Sequence, residues 1–304
     1  MRRHTTLSKT VMKDRLFDSF IYIYLLFISV ITLYPFLNVL AISLNESLDT
    51  VRGGIHIWPR SFTLDNYKEI FQYDNLITGF INSASRTIIG TILGVLSSAM
   101  VAYTLSRADF QGRKWFSTII VLTMYFSGGL IPGYMLIRDL GLINSYWVYI
   151  IPGIVNAFNI IIVRSFIDGL PYALQESAKI DGANDFTIFW KIIMPLCKPV
   201  LATVALFVAV GHWNSWFDTY LYNSMNENLT TLQYELMKIL QNTSMGSTDP
   251  NSMKGMTADQ LKTFVSPESI KMAISIVTIV PILIIYPFVQ KYFVQGMTIG
   301  AVKS

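Results

Sequence analysis

The side chains best suited to chemistry gather in one run, His212-Trp213-Asn214-Ser215-Trp216-Phe217-Asp218-Thr219-Tyr220. Aromatic faces beside hydrogen-bonding groups suit a carbohydrate, whose C–H faces are apolar and whose hydroxyl edges are polar. On one regular helix His212, Trp213, Trp216, Thr219 and Tyr220 share an arc, with Asn214 and Asp218 opposite. The same residue types also anchor helices at a membrane surface. Three more polar residues, Arg86, Asn156 and Asn159, stand inside apolar stretches, where such groups face a bundle interior or an aqueous path. Arg86 can pair with a carboxylate of a partner subunit, line that path or reach toward solvent. The two asparagines can bond across helices or touch a solute. His212, Trp213, Asn214, Trp216, Asp218, Tyr220, Asn156, Asn159 and Arg86 are therefore the candidate solute-pathway residues.

Covalent chemistry finds no such support. His4, His56 and His212 are scattered without metal spacing, and His212 has no evident nucleophile or base partner. Cys197 is the one cysteine, which excludes an intramolecular disulfide. A G-x-x-x-x-G-K-S/T phosphate loop is missing, and Gly128-Gly129 reads as close helix packing or a break in a helix. No catalytic residue, metal ligand or cofactor is assigned. If ATP drives what this chain does, another polypeptide must bind it.

These residues need a membrane scaffold. Of 304 residues 52% are hydrophobic and only 14% charged, and mean hydropathy is +0.46, too apolar for a soluble chain of this size. Apolar runs of membrane-crossing length fall at about 20–41, 80–105, 115–134, 147–166, 200–220 and 270–293. The expected fold class is an all-α integral membrane protein with six transmembrane helices. A short cytoplasmic segment, 1–19, precedes a transmembrane domain over 20–304. The first apolar run is too long for a signal peptide and lacks a small-residue cleavage site, so it reads as an anchor. Arg2, Arg3, Lys9, Arg107, Arg113, Lys179 and Lys291 concentrate on one side, which puts both termini in the cytoplasm by the positive-inside rule. The net charge of +4 is thus a topology signal rather than one for nucleic acid. Outside, a short helix is expected around Asn66–Ile70. The larger outer loop, 221–269, should carry an amphipathic helix over about 231–240 and then a polar tract.

Between the fourth and fifth runs lies a polar segment, 167–199. Pro171 suits the first turn of a short helix over Tyr172–Ile180. Gly182 can end it in a left-handed cap. Asn184 or Asp185 can start a second helix over about 186–194, with Phe186, Phe189, Trp190 and Ile193 on one face. A compact helix-turn-helix with an aromatic ridge is a plug for a groove on a partner.

The order Glu176, Ala178, Asp181, Gly182, Ala183, Phe189, Ile192, Pro195, Pro199 resembles the cytoplasmic coupling loop, or EAA motif, of permease subunits in binding-protein-dependent ABC importers. Ser177 stands where that motif has Ala. Ser127-Gly-Gly-Leu-Ile-Pro132, Ile151-Pro-Gly153, Trp213-Asn-Ser-Trp216 and Gln295-Gly-Met297 are similar to carbohydrate permeases of the MalG-like kind, in the LplC/YtcP-type oligosaccharide branch. The resemblance implies a type I ABC importer permease fold and a coupling role for Glu176, Ser177, Ala178, Asp181, Gly182, Ala183, Phe186, Phe189, Ile192 and Pro195. It implies a homologous second permease, two ATPase subunits holding ATP and Mg, an extracellular solute-binding lipoprotein and an oligosaccharide substrate. Alternating access would then move the solute, and this chain would be no enzyme. Two other readings stay open: a non-sugar solute, and an ion-coupled secondary transporter. For the latter Asp218 is the one good ion site and no inverted repeat is evident.

Overall fold

A computed structural model describes residues 4–72, 74–245 and 266–301. The described chain is helical, with a single isolated bridge between Asn45 and Phe62. It divides into two compact units, 1–72 with 240–277, and 73–239 with 278–304.

In the first unit α1 (His4–Ser43) runs unbroken through Pro35, so the stretch expected as a separate N-terminal segment continues into the first helix. Every side chain described from Phe17 to Phe36 is exposed. Apolar surface on that scale is built for lipid or for another protein. After α1 come α2 (Ser47–Val51) and α3 (Asp65–Phe71), the latter covering the helix expected at Asn66–Ile70. Two buried asparagines knot this region. Asn66 Nδ2 donates to the carbonyls of Ser43 and Asn45, both at 2.9 Å, and the Ser61 N–H donates to Asn45 Oδ1 at 2.9 Å. Backbone groups in an irregular stretch are thereby satisfied.

The second unit is organised on α4 (Asp74–Ser106), 33 residues without an interruption, or about 50 Å of helix. Around it stand α5 (Arg113–Tyr125), α6 (Leu130–Asp139), α7 (Ala157–Asp168), α8 (Ala173–Ile180) and α9 (Asp185–Ile188). A π turn at Phe189–Ile193 and α10 (Met194–Leu196) lead from α9 into α11 (Lys198–Asn214), followed by α12 (Phe217–Tyr222) and α13 (Leu232–Met245). The last helix, α14 (Pro267–Ala301), contains Pro281 and Pro287 without breaking; its residues 267–277, like 240–245 of α13, belong to the first unit. Ala102, Val163, Ile188, Ile193 and Val204 are among the buried residues of the core where α4, α7, α9, the π turn and α11 meet.

Three expected spans are not single helices. The third, read as 115–134, breaks at 126–129, where Gly129 takes φ 89°, and α6 turns 119° from α5. The fourth, read as 147–166, is two short 3-10 turns, Tyr146–Tyr149 and Ile151–Gly153, before α7 at a 44° bend. The fifth, read as 200–220, stops at Asn214 and restarts at Phe217. The breakers are visible in each case: paired glycines, Pro152-Gly153 with Asn156 as the α7 cap, and a non-helical Ser215-Trp216. Among the described residues three helices are long and apolar enough to cross a membrane alone, and up to six spans result if each bent pair counts as one, the third such pair being Asp185–Leu196 with α11 at 81°. The amphipathic helix expected at 231–240 is α13. The tract 246–265 lies outside the described residues.

Candidate substrate cavity and coupling segment

The breaks in the fourth and fifth spans open onto a cavity of about 450 Å³ in the second unit. Its walls include Arg86 of α4, Tyr149, Gly153, Asn156 and Asn159 around the start of α7, Gly211 and His212 of α11, Ser215, and Asp218 of α12. Irregular backbone at membrane depth is tolerated where it lines such a space. Asn156 caps α7, its Oδ1 accepting the Asn159 N–H at 3.1 Å. Ser97 Oγ of α4 donates to the Ile154 carbonyl inside the same break.

An ion pair stands in the cavity wall. Arg86 Nη1 donates to Asp218 Oδ1 at 3.2 Å, and Nη2 bonds Oδ2 as the second prong of the fork. The guanidinium lies 4.4 Å from the Tyr149 ring centroid, and the Arg86 side chain is 2% exposed. Neither snorkelling nor a carboxylate on another chain accounts for Arg86, because its partner lies 132 residues away in its own chain. Its Nε is buried with no hydrogen-bond partner. Beside the pair, the His212 ring fills the space above Gly90, where a Cβ would overlap it.

Five candidate pathway residues therefore meet at the cavity: Arg86, Asn156, Asn159, His212 and Asp218. Four do not. Trp213 is buried on the far side of α11, its Nε1 donating to the Thr278 carbonyl at 2.9 Å and its ring edge-on to Phe80. It borders a separate apolar cavity with Pro281 and Ile285. Asn214 is exposed and bonds Gln233 at 3.4 Å. Trp216 and Tyr220 pack on one another, and Tyr220 continues to Tyr234. The physical reason is the break at 215–216, which resets the helical phase. Asp218 thereby joins His212, and the single arc expected for His212, Trp213, Trp216, Thr219 and Tyr220 does not form. Tyr149, Ser215 and Gly90 were not singled out from sequence; the signals for the first two were the neighbouring breakers.

The polar segment 167–199 folds much as its turn residues predict. Gly182 ends α8 at φ 80° with open space around it. Asn184 caps α9, its Oδ1 accepting the Thr187 N–H at 2.8 Å. The expected aromatic ridge splits, because the π turn shifts the helical phase. Phe189 and Ile193 enter the core while Phe186 is 69% exposed and Trp190 41%. Ala178 is buried; Glu176, Ser177, Asp181 and Pro195 are exposed, and Ala183 and Ile192 half-buried. Near this segment Asp109 bonds Arg107 through a fork and Lys179 at 3.2 Å. The Arg107 hydrogen bonds, with Lys179 adding to them, hold the Asp109 carboxyl below the usual aspartate range.

Residues 7–299 match the family described as "Binding-protein-dependent transport system inner membrane component". The chain is 40% identical over 294 residues to the polygalacturonan/rhamnogalacturonan transport system permease protein YtcP of Bacillus subtilis, covering 96% of this chain and 100% of that one. It is 34% identical to the arabinooligosaccharides transport system permease protein AraQ of Halalkalibacterium halodurans, over 91% and 94% of the two chains. Among solved structures, a bacterial ABC transporter involved in the import of the acidic polysaccharide alginate superposes with TM-score 0.77 at 31% identity, over 92% and 98%. The chain belongs to the binding-protein-dependent ABC transporter permeases. It is a multi-pass integral membrane protein with the all-helical permease fold, a non-catalytic component whose ATPase is a separate subunit.

Proposed function

We propose that this chain is the transmembrane subunit of an importer for oligosaccharides or complex glycans, with the solute passing through the Arg86–Asp218 cavity. The carrying observation is the cavity itself, where broken helices gather Arg86, Asn156, Asn159, His212 and Asp218 around one polar space. Relatives named for polygalacturonan, arabinooligosaccharides and alginate support a carbohydrate, and two of those polymers are acidic. Uronate-containing oligosaccharides are thus the first solutes to try. An extracellular binding lipoprotein delivers the sugar to this subunit and a homologous second permease. Of two ATPase subunits in the complex, one docks on 170–194 of this chain, where Phe186, Trp190 and Ile180 stand exposed for contact. Closure of the ATPase dimer on ATP turns the permease pair, and the cavity changes the side on which it opens.

The test is import of labelled oligouronides and arabino-oligosaccharides into lipid vesicles holding the four-component complex, with ATPase activity read in parallel. Sugar-stimulated hydrolysis with uptake is expected, abolished by Gly182→Asp in a complex that still assembles. Uptake of an amino acid or peptide instead of any sugar would overturn the reading.

A further inference from the structure

Beyond the cavity and the assigned coupling residues, an ionic cluster stands at the end of α4. Arg107 follows the last residue of that helix and its side chain is 15% exposed. Nε donates to Asp109 Oδ1 at 2.8 Å and Nη2 to Oδ2, while Nη1 pairs with Asp185 at the start of α9. Lys179 of α8 joins the cluster through Asp109. One guanidinium therefore holds the end of α4, the turn before α5 and the second coupling helix. Isolated surface pairs are weak, but networks and bidentate forks fix geometry. An ammonium could not reproduce the planar fork.

Below the cluster the Tyr103 and Phe189 rings lie 5.5 Å apart, and Arg107 sits 6.0 Å from the Tyr103 centroid. Apolar contact alone is non-directional, so the rings resist separation while the fork resists sliding. From Ser106 the helix runs unbroken to Gly90 and Arg86 at the cavity, about 30 Å away.

We propose that Arg107 is a positioning residue that makes the coupling segment and α4 one mechanical unit, delivering motion of α8 and α9 to the cavity wall. This rests on the coupling role read for 170–194. Arg107 touches neither solute nor nucleotide and acts through Asp185 and Asp109. Its loss lets the ATPase turn over while α4 lags.

The readout is solute imported per ATP hydrolysed by the full complex in lipid vesicles, for wild type, Arg107→Lys, Arg107→Gln and Asp185→Asn. Complex assembly is checked by size-exclusion chromatography. Arg107→Gln lowers the ratio at least about threefold, Arg107→Lys restores part of it, and Asp185→Asn lowers it less because the Asp109 arm persists. A wild-type ratio in assembled Arg107→Gln overturns the proposal. If that variant fails to assemble, Asp185→Asn decides, since its side chain is 56% exposed: a lowered ratio supports the clamp and a wild-type ratio sinks it. A wild-type complex importing no solute would remove the importer reading itself, and the clamp with it.

Discussion

The ring of His212 occupies the volume that a side chain at residue 90 would need. The closeness of α11 to α4 beside the cavity thus depends on Gly90 having no Cβ. Gly90→Ala should destabilise the permease by about 1–3 kcal/mol through overpacking, read as a lower thermal midpoint of the purified complex. Gly90→Ala with His212→Ala should recover part of that loss, a coupling between neighbours that a double-mutant cycle resolves.

Arg86 and Asp218 should fail together. Asp218→Leu alone strands a buried guanidinium and should cost about 3–5 kcal/mol, whereas Arg86→Met with Asp218→Leu should cost clearly less. Both variants should lose uptake if the cavity carries solute. Thermal unfolding and uptake, measured on the same preparations, separate the two effects; normal uptake by the double variant would remove the ion pair from the pathway.

What could be read from the sequence was local. Pro171, Gly182 and Asn184 each announce a backbone conformation by their own chemistry, and α8, its cap and α9 fall close to where those residues point. The membrane-crossing runs were equally legible, since apolar length is a property of the segment. The cavity was not. Arg86 finds Asp218 only after the seven α-helices between α4 and α12 fold, and a helical arc through 212–220 needs a regularity that Ser215-Trp216 breaks. Asp185 reaches Arg107 for the same kind of reason, a tertiary convergence, whereas Asp109 stands two residues from Arg107 in sequence.

Trp213 should behave as a structural residue. Trp213→Phe removes the hydrogen bond to the Thr278 carbonyl and should cost about 1 kcal/mol while leaving the KM for uptake unchanged. A raised KM at unchanged stability would return Trp213 to the solute path.

The two phenylalanines of the coupling segment should part company. Phe189, 4% exposed, should cost about 3–5 kcal/mol as Phe189→Ala. Phe186→Ala should change stability by no more than about 0.5 kcal/mol yet weaken capture of the ATPase. Thermal unfolding of the permease pair and co-purification of the ATPase give the two readings.

The pH dependence of coupling follows from Asp109. A carboxyl held below its usual range contributes stability above its ordinary pKa and loses it only as pH falls through the lowered folded value. The Asp109 contacts should therefore persist from pH 8 down to about 4, where an ordinary aspartate is already about half protonated. Asp109→Asn, compared with wild type over that range, should differ by a constant factor in solute imported per ATP; a gap that closes toward pH 4 would contradict this.

An uninterrupted α4 also restricts how the gene can change length. One residue inserted between Arg86 and Ser106 would rotate everything beyond it by about 100° and advance it about 1.5 Å. Arg86 and Arg107 would then lose their present angular relation, however conservative the inserted side chain. A substitution in this stretch acts at its own site, as at Gly90, but a change in residue count acts on everything beyond it, so insertions and deletions should accumulate in the turns between helices and be purged from α4.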